Sequence, residues 1–272
     1  MTYLFKRYIG IEVGKPGEEG RLFDTLKIEF SLDRTSSSDA NKGSVSIYNL
    51  NEKSRNLLND EGVVYILKTG YQGLNNEPLI EELSSGDIEE IKTQKTGADV
   101  VTTFALTEDG KKLREKTTDQ SFAEGVSKKQ VIGALIETLD MAKGTIQGIT
   151  SKVFNSGYSA TGKVKDRLDE LAKSDGLEWS VQNGEVNMFP KDTSTLEEAV
   201  YLSNETGLIR AYKEKAEGKD KTIVEALLNP QIKVGRKIQV EGQEVSGTFV
   251  VRRASYKGDN QNGPFMVTCE VA

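Results

Sequence analysis

The chain has 272 residues, a net charge of −6 and no histidine, so the usual general base at neutral pH and the commonest metal ligand are missing. Ser-His-Asp and Cys-His catalysis and histidine-built zinc sites are thereby excluded, and a single cysteine rules out an intrachain disulfide or a thiolate metal cluster. An apolar content of 36% against 29% charged, with both signs interspersed, suits a folded protein with much surface for its core, long enough for two domains or one carrying an insertion.

From the start, Met1-Thr-Tyr-Leu-Phe-Lys-Arg-Tyr8 lacks the basic-then-apolar layout of a signal peptide. No later stretch is apolar for long enough to span a membrane, so synthesis and retention in a cytosol is the expectation. Leu26 to Leu32 alternates cleanly, which predicts a strand with Leu26, Ile28, Phe30 and Leu32 on one face. A polar loop is expected from Asp33 to Gly43. Lys42 to Asn56 then compresses a strand, a corner and a helix start. Val45 and Ile47 alternate with Ser44 and Ser46, Asn49-Leu50-Asn51 stops the strand, and the Asn51 side chain is placed to cap a short helix. Val63 to Leu67 is a more continuously apolar strand, closed by Gly70-Tyr71-Gln72-Gly73. Glu77 to Glu90 is acidic, with an expected turn at Ser85-Gly86-Asp87, and Ala98 to Leu106 is another strand ending at Glu108-Asp109-Gly110. Strands of this length with regularly spaced turns read as an all-β barrel or sandwich.

The middle changes character. Ser127-Lys-Lys-Gln130 is a capping box, followed by Val131, Ile132, Leu135, Ile136 and Leu139 at helical spacing, with Gly144 as the expected stop. A second helix is predicted from about Lys163 to Ser174, burying Val164, Leu168, Leu171 and Ala172, with Gly176 after it. Asn183-Gly184 signals a type I′ hairpin that pairs Val181 with Val186 and Trp179 with Met188 on one face. Strands return at Ala199–Ser203, Lys237–Val240, Gly247–Arg253 and Phe265–Val271, where Val267, Cys269 and Val271 share a face and Cys269 reads as a packed core thiol. Lys213 to Lys221, dense in mixed charge, is expected as a solvated loop. All five prolines fall in turns or at strand ends.

Ser46-Ile-Tyr-Asn-Leu50, Gly70-Tyr-Gln-Gly73, Gly86-Asp-Ile88 and Asp109-Gly110 resemble, in order, segments of phage tail baseplate hub proteins. So do Glu205-Thr-Gly-Leu-Ile209, Leu228 to Gly235 and Tyr256-Lys-Gly-Asp-Asn260. Each segment alone is a turn with flanking strands, and the resemblance lies in their order over residues 20 to 270. Leu79-Ile80 followed by Glu81-Glu82 departs from the short apolar strand usual there. The resemblance implies an α+β, mainly β fold: a tube-like β-barrel domain at 1–114, an α/β insert of two helices and a hairpin at 115–192, and a second tube-like β-barrel domain at 193–272. It also implies a structural virion protein, a homotrimeric hub of a contractile tail, assembled in the host bacterial cytoplasm. Six barrels would match the six-fold tail tube on one side and the trimeric spike on the other. Its partners would be the tail tube protein, the central spike, baseplate wedge proteins and the tape-measure protein, with DNA only in transit. A chain this short leads us to expect no appended lysozyme or carbohydrate-binding domain.

The negative charge weighs against a sequence-reading nucleic-acid binder but suits a surface past which a polyanion slides. The expectation is no enzyme, no cofactor and no metal. A carboxylate-based cell-wall hydrolase would have to draw on Asp87, Glu89-Glu90, or Glu178 beside Trp179. A hub of a non-contractile tail or of a phage-derived bacteriocin or injection machine would read the same way in sequence. A sugar- or receptor-binding module would cluster aromatics in loops, whereas most Phe and Tyr here sit in or beside predicted strands.

Overall fold

Period-two alternation of apolar residues dominates the chain, and the computed structural model, which describes residues 4, 6–73, 78–190, 193–194, 198–216 and 219–272, turns it into sheet. Strand takes up 55% and helix 13%, so the protein is α+β and mainly β. The first part contains β1 (Arg7–Gly14), β2 (Arg21–Phe23), β3 (Ile28–Thr35), β4 (Lys42–Tyr48), α1 (Glu52–Leu58), β5 (Val64–Tyr71), β6 (Leu79–Thr96), β7 (Asp99–Thr107) and α2 (Gly110–Glu115). The middle holds β8 (Thr117–Phe122), β9 (Val126–Ser127), α3 (Lys128–Thr138), β10 (Ala142–Ile146), β11 (Val153–Phe154), β12 (Tyr158–Lys163), α4 (Val164–Lys173), β13 (Leu177–Gln182) and β14 (Glu185–Pro190). The last part contains β15 (Val200–Leu202), β16 (Leu208–Ala216), β17 (Lys219–Leu227), β18 (Lys237–Glu241), β19 (Ser246–Asp259) and β20 (Phe265–Val271).

Strands from both ends of the chain share one sheet, in the order β16-β17-β20-β19-β3-β4-β7-β6-β5-β1-β2, with β18 pairing β19 and β15 pairing β18. The join is β19 against β3, antiparallel from Arg253↔Thr35 to Asp259↔Glu29. Inward residues of both parts, among them Ile11, Ile28, Phe104, Val224, Tyr256 and Cys269, form one apolar cluster. Among the described residues no backbone pairing links the two ends of this order. Side chains fold the sheet back instead: Arg7 Nη1 donates to the Gly263 carbonyl at 2.8 Å, and Tyr71 meets Phe265 edge-on at 5.3 Å.

The middle packs around its own core. Ser127 and Gln130 form the capping box of α3, whose Val131, Ile132, Leu135 and Ile136 meet Val164, Leu168 and Leu171 of α4. The hairpin β13–β14 pairs Trp179 with Met188 and Val181 with Val186, and Asn183 and Gly184 turn it with φ of 52° and 75°. Asn51 caps α1 by accepting the Ser54 amide hydrogen at 2.9 Å.

Several expectations are corrected. The Asp33–Gly43 segment is loop only in its centre, because β3 runs on to Thr35 and β4 starts at Lys42. Gly70 and Tyr71 belong to β5 rather than to a turn. Ser85-Gly86-Asp87 is no turn either, since β6 continues through it. Gly86 is there for close approach: a Cβ would stand 2.3 Å from the Thr107 carbonyl oxygen. Helix α3 ends at Thr138, two residues before Asp140, which takes φ 58°, and Gly144 lies in β10. The charged run from Lys213 is strand, paired Lys213↔Thr222 and Glu214↔Lys221, because an antiparallel pair with a solvated face tolerates charge; residues 217–218 lie outside the described ones, as does Glu77.

Candidate functional site

Two surfaces stand out. The first is the set of open sheet edges. The edge strands β2, β15 and β16 each carry an exposed apolar side chain: Leu22 at 49%, Tyr201 at 44% and Ile209 at 48%. Unpaired N–H and C=O groups beside exposed apolar side chains are the usual template for pairing with another chain. Charge moderates β16, where Arg210 clasps Glu225 through two bonds of 2.8 and 2.7 Å and holds that carboxyl below its ordinary range.

The second is a polar junction where the middle lobe meets the sheet. The inward alternation Ile28, Phe30, Leu32 of β3 continues to Arg34, and Phe104, Leu106 of β7 continues to Glu108. Both charged side chains are buried, at 1% and 0% exposed, and their ion pair spans 3.1 Å. Arg34 also donates through Nη1 to the Leu83 carbonyl at 2.7 Å and through Nη2 to Asn183 Oδ1 at 2.7 Å. Asn41 donates to Glu108 Oε2 at 2.6 Å and to the Val181 carbonyl at 3.0 Å, and Gln182 Nε2 donates to the Thr35 carbonyl at 3.0 Å. The hairpin tip is thus held to the sheet by hydrogen bonds around one buried charge pair. Sequence reading passed over Arg34 and Glu108, although the alternation that ends in each was a usable signal.

The candidate carboxylates fall on two elements. Asp87, Glu89 and Glu90 lie on β6 and Glu178 on β13. Glu89 accepts from Arg114 at 2.6 Å, Glu90 lies 3.6 Å from Lys92, and Glu178 accepts from Ser36 at 3.4 Å. Trp179 is buried in the lobe and donates to Asp169 at 2.7 Å, as a hairpin-core residue should. Among the described residues no group of three or more His, Cys, Asp or Glu is arranged to hold a metal ion.

Neither a protein-family model nor a curated protein matches the chain. Solved structures do. The 43 kDa tail protein of prophage MuSo2 from Shewanella oneidensis superposes with a TM-score of 0.69 over 98% of this chain and 98% of its own, at 8% identity. This is the fold of phage tail proteins. A tail protein from Neisseria meningitidis MC58 shares that tail fold with a TM-score of 0.65, 9% identity and 97% and 96% coverage of the two chains. The E. coli c3393 protein, a type VI secretion component similar to the T4 tail proteins gp27 and gp5, has it with a TM-score of 0.61 and 9% identity, covering 95% of this chain and 76% of that one.

Proposed function

We propose that the chain is a structural protein of a phage tail, the baseplate hub, and not an enzyme. The observation that carries this reading is the end-to-end match to a prophage tail protein, covering 98% of both chains. In this role three copies close a ring in which the 1–114 and 193–272 segments act as two tube-like units, joining the six-fold tube to a trimeric spike. The open edges at β2 and β16 support the ring, since different edges at opposite ends of one sheet order suit head-to-tail contacts that close by rotation. The charge of −6 suits a conduit that must release the DNA passing through it. Tube, spike, wedge and tape-measure proteins are its partners, and the virion tail is its place.

The test is cryo-electron microscopy of assembled tails. Three copies per tail, each giving two units to one layer, are expected. Six copies, or a channel lined mainly by Lys and Arg, would refute the proposal. Likeness to a type VI component makes the hub of a phage-derived injection machine the second reading, and a sheath gene beside this one separates contractile from non-contractile machines.

A further inference from the structure

The junction between lobe and sheet is built unlike either core. Each side of it has its own apolar core: the sheet has one cluster, and the lobe has a second around α3, α4 and the β13–β14 hairpin, on which Ala40 of the β3–β4 loop also packs. Between them lies a cavity of about 660 Å³. Its lobe wall is the polar outer face of β10 and β14, with Thr145, Glu185 and Asn187, and its sheet wall carries Glu81, Glu82 and Lys233. Polar walls on both sides gain nothing from being dry, and the cleft mixes Glu81, Glu82 and Glu185 with Lys233 and Arg236, Glu81 lying 3.6 Å from Lys233, charges that keep it hydrated. The buried part of what holds the lobe down is the knot of Arg34, Glu108, Asn41 and Asn183; around it Gln182 donates to the Thr35 carbonyl, and the more exposed pairs Lys165–Asp39 and Arg114–Glu89 each span 2.6 Å. One donor of the knot, Arg34 Nε, has no partner.

We propose that residues 110–190 form a rigid lobe that swings on the sheet about this cleft, and that the Arg34–Glu108–Asn183 knot is the latch that keeps it closed. Breaking the latch opens a hydrated seam and leaves both apolar clusters whole apart from the contact of Ala40, so the lobe moves as a unit. The inference rests on this geometry alone and stands whether or not the chain is a hub.

Asn183→Gly is the decisive variant. It deletes the Oδ1 acceptor for Arg34 while easing the turn, because Asn183 already has φ 52°, a conformation glycine adopts freely. Arg34→Met is the second. Spin labels on cysteines at the exposed positions Lys53 on α1 and Lys173 on α4 span sheet and lobe, and the native Cys269 is too buried to react. Pulsed dipolar spectroscopy should give one narrow distance in the parent. In both variants a second, longer distance should grow, raising the open-to-closed ratio about 10- to 100-fold, the range of one lost charged hydrogen bond. Trp179 emission should stay that of a buried indole. Should Arg34→Met fail to fold, Asn183→Gly still decides. A parent-like distance distribution in Asn183→Gly overturns the latch, and exposure of Trp179 in that variant overturns the rigid lobe.

Discussion

Replacing Lys128 with Met should cost the lobe about 3 kcal/mol, the low end of what removing one partner of a buried ion pair costs. Lys128 is the first residue of α3, is 1% exposed, and sits 2.7 Å from Asp175, itself 4% exposed, just beyond the end of α4. It also donates to Ser174 Oγ at 2.6 Å, so this one ammonium ties the start of one helix to the end of the other. Met fills the methylene path but leaves Asp175 buried without its cation. The low end applies because Asp175 keeps two donors from Thr150, the amide at 3.1 Å and the hydroxyl at 3.0 Å. The assay is urea unfolding followed by the fluorescence of Trp179, the chain's one tryptophan and a member of the lobe's own core. With a slope near 2 kcal/mol per molar, the midpoint should fall by about 1.5 M urea. Adding Asp175→Leu should restore most of the loss, since a buried pair replaced by apolar groups is often neutral and the exposed Thr150 can turn its donors to water. A loss below about 1 kcal/mol for Lys128→Met, or a double variant no better than the single one, would refute the reasoning.

Gly184→Val should destabilise the β13–β14 hairpin by about 1–3 kcal/mol through backbone strain at φ 75°. The nearest atom to an added Cβ is 3.7 Å away, so no clash contributes at that atom, and a parent-like melting temperature would contradict the type I′ turn. Acidification should destabilise the protein from about pH 4 downward, where unfolded carboxylates begin to bind protons. Burial raises the Asp175 carboxyl, but bonds from Lys128 and Thr150 bring it net below its ordinary range, so its contribution is present above the unfolded value and lost as pH falls through the folded one. Arg210 lowers Glu225 in the same sense, whereas burial raises Asp109 and offsets part of the loss, and a pH titration of unfolding free energy reads the sum. The Cys269 thiol, pushed up to about 12 by burial, should stay silent to thiol reagents in the native state and react one-to-one on unfolding.

Local signals carried far in this chain. The capping box at Ser127, the Asn51 cap, the apolar stripes of α3 and α4 and the Asn183-Gly184 turn all came out as read, because each is decided within a few residues by hydrogen bonding or by a φ that few side chains accept. Alternation likewise marked β3 and β20 and put Cys269 inside. Errors arose where a distant neighbour decides. Gly86 looked like a turn because glycine marks turns, yet its reason is the Thr107 carbonyl of the adjacent strand. Lys213 to Lys221 looked like a loop because charge marks solvent, yet β17 is held in place by β20 on its far side. The pairing of β19 with β3, residues more than two hundred positions apart, welds the two ends of the chain into one sheet, and no local pattern encodes which strands meet. Arg34 and Glu108 show the same limit at a single site. Sequence alternation points both of them inward, but a charge pointing inward is tolerable only if its partner arrives. That partner arrives because β4 seats β3 and β7 on either side of itself, which only the tertiary structure decides.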